Sequence, residues 1–151
     1  PRYVGLQAAE IPSFPCDGDR VTVNLISGSW AGHAGPIRSL TDVHMMTVSL
    51  TAGGRARFPV SPGRTVFLYL VRGKLIIGGQ GASSFHLLEL NDDGDEVDVE
   101  AATDAVALFG HASPLAEPVV AHGPFVMNTH EEIVQAMRDY QAGRFGGRLG
   151  G

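Results

Sequence analysis

The stretch 117–146, EPVVAHGPFVMNTHEEIVQAMRDYQAGRFG, holds the one strong helix signal of the chain. Thr129 is placed to cap a helix, and Glu132 three residues on completes a capping box that satisfies two orphan backbone donors. Ile133, Ala136, Met137 and Tyr140 follow at helical spacing and form one apolar stripe. Gly143 stands where a C-terminal cap glycine belongs, and Arg144 beyond it suits the negative end of the helix dipole. Everything upstream reads differently, so the fold is decided by the contrast: many strands, then one closing helix.

Upstream, short apolar runs are broken by glycine, proline and aspartate, the pattern of a sandwich or barrel. The strand candidates are Val21–Ile26, His44–Leu50, Val66–Val71, Lys74–Ile77, Phe85–Leu90, Val97–Val99 and Ala105–Phe109. In His44–Leu50, His44, Met46, Val48 and Leu50 share one face. Val66–Val71 is apolar throughout, as expected of a strand covered on both faces. The segments GSWAGHAGP and GGQGASS read as glycine-rich loops.

Size and charge exclude several function classes. A chain of 151 residues is large enough for one core without disulfides. A net charge of −5 argues against direct nucleic-acid binding, which needs a basic footprint. No apolar run approaches the roughly 20 residues of a membrane span. Cys16 is the only cysteine, so no internal disulfide forms, which fits a cytoplasmic protein.

The closing segment carries a resemblance. GPFVMNT, EEI, the Asp139–Tyr140 pair and GRFG resemble the end of the pirin family. FLYLVRGKLIIGG, DGDRVTVNLISGSWAGHAGPI and the opening PRYVGLQAAEIPSF resemble the preceding parts of its second half. Pirins are two-cupin proteins. The resemblance therefore implies an all-β, cupin-type jelly-roll β-barrel (a double-stranded β-helix) with one C-terminal α-helix. It implies one cupin domain over 1–146, with residues 147–151 as a flexible glycine-rich tail. The family includes a nuclear transcription cofactor and bacterial quercetin 2,3-dioxygenases, whose iron is held by three His and one Glu in the N-terminal cupin. None of those ligands has a matching position here.

Cupins carry Gly-x5-His-x-His-x3or4-Glu-x6-Gly as a first metal motif. Gly54 and Gly73 bracket a stretch of that length, but the two His positions fall on Val60 and Pro62 and the Glu position on Val66. Laid from Gly94, the second motif puts its His on Ala105. None of these four side chains offers a lone pair to a metal. The expectation is a chain with no catalytic residue, no cofactor and no metal of its own: a structural, binding or regulatory module. The alternative is the C-terminal part of a dioxygenase whose catalytic cupin lies elsewhere. A homo-oligomeric or second-cupin partner is expected, and the apolar interior could take a small apolar ligand.

Among other residues, His44 is the leading candidate for an unorthodox metal ligand, with His86 as its partner, although two histidines do not complete a site. His33, His111 and His122 read as loop residues. Arg55 and Arg57, with Arg64 nearby, form either an anion site or a solvated strand edge. ELNDDGDEVDVE, residues 89–100, approaches a calcium loop but reads better as an acidic hairpin turn. Cys16 reads as a loop residue without an activating neighbour.

Overall fold

The computed structural model describes residues 5–91 and 93–145. Contacts divide the chain into two compact units, Pro1–Pro114 and Leu115–Gly151. The tail 147–151 lies outside the described residues.

The first unit follows the alternation of its sequence. Its strands are β1 (Ser13–Cys16), β2 (Val21–Ser27), β3 (Ser29–Trp30), β4 (His33–Ala34), β5 (His44–Leu50), β6 (Arg55–Pro59), β7 (Thr65–Arg72), β8 (Lys74–Ile77), β9 (Gln80–Ser83), β10 (His86–Leu90), β11 (Glu96–Ala101) and β12 (Ala105–Ala112). A six-stranded sheet runs β1-β2-β5-β12-β7-β10, a four-stranded sheet runs β6-β11-β8-β9, and β3 with β4 makes a small hairpin. Their pairings are antiparallel.

One core joins the two large sheets. The six-stranded sheet contributes Val21, Val23, Leu25, Met46, Val48, Leu50, Leu68, Leu70 and Phe109, and the other sheet Phe58, Leu75, Ile77, Val97 and Val99. Each is every second residue of its strand, as the two-residue side-chain period demands. Burying an aliphatic or aromatic side chain of this size contributes roughly 1.5–3 kcal/mol, so the paired faces dominate the stability of the unit.

The strand positions match expectation where alternation is strong and depart from it where pairing is non-local. Along β7, only Val66, Leu68 and Leu70 are fully buried, and Val71 is 42% exposed. The strand is therefore covered on one face, not both. Residues 89–100 do not form a hairpin: β10 pairs with β7, whereas β11 pairs with β6 and β8, so the acidic loop crosses between sheets. GGQGASS supplies β9, which pairs with β8. Cys16 lies not in a loop but in the edge strand β1, half-buried against the core. Burial first, and then the charge of Asp17, raises its thiol pKa and keeps it unreactive.

The second unit holds β13 (Val120–His122), β14 (Phe125–Met127) and the helix α1 (His130–Gln141), which packs against both strands. The capping box forms as read: the Glu132 N–H donates to Thr129 Oγ1 at 3.2 Å, and the Thr129 N–H to Glu132 Oε2 at 2.9 Å. At the other end Gly143 has φ 69°, its N–H bonds to the Tyr140 carbonyl at 3.0 Å, and the Arg144 N–H bonds to the Asp139 carbonyl at 2.9 Å. That pair of bonds with a left-handed glycine is a Schellman cap. Of the apolar stripe, Ile133 and Ala136 are buried and Met137 is half-buried. Tyr140 is 65% exposed, resting its ring against Phe125 and Phe145.

Candidate functional site

Two cavities in the first unit carry the functional question. The first is where the cupin metal motif would act. Val60 follows β6, and its N–H donates to the Asp95 carbonyl at 2.8 Å, tying that end of β6 to the start of β11. Val60, Val66 and Val97 line a cavity of about 440 Å³ with Leu88 and Leu90, and charged residues including Arg64, Glu89 and Glu96 also border it. Pro62 is exposed in the turn between β6 and β7.

Ala105, expected at the second-motif His position, is not there. It pairs with Leu50 at the start of β12, while the β12 residue opposite Val66 is His111, six residues further along. At about 3.3 Å per residue that is roughly 20 Å. The apolar residues that share the cavity with Val60 and Val66 include Leu88 and Leu90 of β10 and Val97 of β11, which faces Phe58 on β6. Valine and leucine, like alanine, have no donor atom. Val60, Val66 and Val97 thus give a metal no ligand, and the described carboxylates that border the cavity, Glu89 and Glu96 among them, are not grouped to hold one.

The second cavity, of about 500 Å³, is lined by Trp30, His33, His44, Ser61, Arg64 and His111, among others. His111 was read as a loop residue, but it lies in β12, directly across from His44 on β5. The two imidazoles stack with centroids 4.4 Å apart. Gly28 makes room for this stack: it adopts φ 74°, and a Cβ there would meet the His44 ring at 2.3 Å. The β2–β3 turn can thus lie directly on the ring.

Hydrogen bonds hold each ring. Arg64 donates through Nε to His111 Nδ1 at 2.7 Å, through its NH1 nitrogen to Asp42 Oδ2 at 2.7 Å, and through its NH2 nitrogen to the Asp42 carbonyl at 2.8 Å. His44 donates through Nε2 to Asp42 Oδ1 at 3.1 Å, and its Nδ1 accepts the Ser29 N–H at 3.2 Å. Because an arginine only donates, His111 Nδ1 must accept, which places the proton of the neutral ring on Nε2. Burial above all, reinforced by His44 and the Arg64 guanidinium and opposed by Asp42, lowers the His111 pKa to about 4. The ring is neutral at physiological pH. Asp42 is held below the usual carboxylate range, chiefly by its hydrogen bond from Arg64 and then by that from His44.

The sequence-based candidates separate accordingly. His44 joins His111 and His33 at one cavity. His86 does not: it pairs with Leu70 on β10, three strands from β5 and displaced along the sheet, roughly 15–20 Å from His44 by strand spacing. Its Nδ1 lies 3.0 Å from the Ser83 carbonyl. His122 is in β13 of the second unit. Among the described residues no group of three or more His, Cys, Asp and Glu side chains is arranged to hold a metal ion. Arg55 and Arg57 are paired with Glu100 at 2.9 Å and Asp98 at 2.8 Å, on an edge strand of the four-stranded sheet. Arg64 faces elsewhere, into the histidine cavity. Trp30 and Asp42 drew no attention in the sequence: Trp30 sat in an apparent loop, and Asp42 gains meaning only from partners 22 residues away.

Comparison with known proteins settles the family. The sequence model described as the Pirin C-terminal cupin domain matches residues 45–146. The chain belongs to the pirin family. It is 36% identical to human Pirin over 153 residues, spanning 97% of this chain and 51% of that protein. It is 32% identical to a putative quercetin 2,3-dioxygenase of Pseudomonas aeruginosa, over 96% of this chain and 51% of the relative. Among solved structures, a quercetin 2,3-dioxygenase from Acinetobacter baumannii superposes with a TM-score of 0.91 at 26% identity, covering 98% of this chain and 52% of the other. The chain spans about half the length of the pirin relatives it matches. No helix among its described residues is long and apolar enough to cross a membrane.

Proposed function

We propose that this chain is a non-catalytic pirin cupin: a jelly-roll barrel without a metal of its own, serving as a structural, binding or regulatory module beside a second cupin domain or a copy of itself. The observation that carries the reading is that Val60 and Val66, at two of the cupin metal-ligand positions, meet with Val97 at one cavity, and none can donate a lone pair. Oxidative opening of a flavonol ring by dioxygen requires a redox-capable metal with an open coordination position. The valine and leucine part of the wall suits the apolar portion of a small ligand, with charged groups at its border, and the volume lies within the usual range for small-molecule sites.

The test is flavonol turnover by the chain alone, followed as loss of the flavonol absorbance band together with oxygen uptake. No turnover above buffer is expected with added iron, nickel, manganese or copper. Metal-dependent turnover that disappears in His44→Ala or His111→Ala would overturn the reading.

A second reading is favoured by one observation, the coverage of only about half of each relative, including proteins named as putative quercetin 2,3-dioxygenases. In it, the chain is the C-terminal part of a metal-dependent dioxygenase whose catalytic cupin lies outside this sequence. The upstream reading frame discriminates: a cupin-length segment bearing a His-x-His pair supports the second reading, and its absence supports the first.

A further inference from the structure

The histidine cavity combines three properties that the metal-free reading neither requires nor explains. Its first is an unbroken series of ring contacts. His33 stacks on Phe14 at 4.3 Å, Phe14 meets Trp30 at 6.1 Å, and Trp30 meets Phe58 at 6.4 Å. Phe58 stacks on Phe109 at 4.6 Å, Phe109 meets His111 at 5.9 Å, and His111 stacks on His44. The two ends of the series, and Trp30 within it, line the same cavity.

The second property is a polar atom without a partner. His111 is only 8% exposed, and its Nδ1 is taken by Arg64. Its Nε2 has no hydrogen-bond partner among the described residues and is not among the buried unsatisfied atoms, so it is accessible. With His111 itself among the lining residues, the opening available to Nε2 is the cavity. A donor whose position is fixed, which no protein group takes and which opens on a cavity, is left for a water or a ligand. The third property is rigidity. The Arg64 side chain is 12% exposed and divides its donors among His111, Asp42 and Ser113, so the tautomer that puts the hydrogen on Nε2 is held by the scaffold.

We propose that this cavity binds a small planar aromatic molecule bearing an oxygen acceptor, whose oxygen takes the His111 Nε2–H while its ring packs beside Trp30 and His33. Ring-lined walls favour an aromatic partner through offset and edge contacts, and a single fixed donor selects an acceptor in the plane of that ring. A cation is disfavoured, because the positive charge of Arg64 and the His111 N–H border the same space. The inference does not rest on the absence of a metal at Val60, Val66 and Val97, and it survives if that reading fails.

Trp30 is the only tryptophan of the chain, so the cavity carries its own reporter. The experiment titrates the protein with benzoate, acetophenone and toluene, reading Trp30 emission excited at its red edge and confirming each binding by calorimetry. Saturable binding is expected for benzoate or acetophenone, with toluene at least about fivefold weaker, the equivalent of one neutral hydrogen bond. His111→Asn, which keeps an acceptor for Arg64 but removes the Nε2 donor, should weaken the oxygen-bearing ligand by about fivefold. His111→Gln, which keeps an N–H near the Nε2 position, should stay within about twofold of wild type. Should a variant not fold, nitrogen-15 NMR of the wild type still decides: the His111 Nε2 resonance must move on titration with the oxygen-bearing probe and not with toluene. No saturable response to any probe at millimolar concentration, equal affinity for toluene, or an unmoved Nε2 resonance overturns the proposal.

Discussion

His111 makes the stability of the fold depend on pH between its unfolded and folded pKa values. Its pKa is lowered from 6.5 to about 4, mainly by burial. Between those values the unfolded chain binds a proton that the folded chain refuses, so stability must fall as pH drops from 6.5 towards 4 and is fully present above 6.5. Each unit of pKa difference is worth about 1.4 kcal/mol, which bounds the loss at about 3.5 kcal/mol, and at about 2 once water in the cavity is allowed for. The lowered carboxylates Asp17 and Asp42 work in the same direction, but only lose their contribution around and below pH 4. Urea unfolding of wild type and His111→Asn, at steps from pH 7.5 to 4.5, isolates the histidine because every other group is common to both. The stability difference between wild type and variant should shift by about 2 kcal/mol across that range, with wild type losing more. Parallel curves would refute the account of a neutral, buried imidazole held by Arg64.

Three further outcomes follow. Arg64→Met should remove the donor to His111, costing about 1–2 kcal/mol in urea unfolding through that hydrogen bond, with the His111 imidazole sampling both tautomers by nitrogen-15 NMR. Tyr140→Ala should cost only about 1 kcal/mol, since the ring is mostly exposed and contributes edge contacts to Phe125 and Phe145; thermal unfolding read by circular dichroism checks it. Light scattering at tens of micromolar, about the range where weak interfaces populate, should show a two-fold dimer if a copy of the chain replaces the second cupin, and a monomer would rule that partner out.

What was legible in the sequence was local. The span His44–Leu50 and the span Lys74–Ile77 match β5 and β8 residue for residue, because a two-residue alternation or a flanking glycine is visible without knowing the partner strand. Thr129, Glu132 and Gly143 announced both ends of α1 for the same reason: a cap is made by residues three or four apart. Pairing across the chain left weaker traces. Nothing within residues 89–100 says that β10 and β11 belong to different sheets, and Pro15 obscured β1, where an edge strand tolerates it. For the same reason the sequence does not show that Ala105 lies apart from Val60 and Val66, at the far end of β12 from the residue opposite Val66. The histidine cavity was the least legible part. Asp42, Arg64 and His111 are 22 and 47 residues apart, and only the β5–β12 and β7–β12 ladders bring them together.

The central claim, that this pirin cupin holds no metal of its own, is tested most directly by elemental analysis of the chain purified without chelators and then dialysed against iron, nickel, manganese and zinc in turn. The account predicts far less than one equivalent of each per chain, unchanged by His44→Ala. Near one equivalent of any of them, retained through dialysis and lost in that variant, would contradict it.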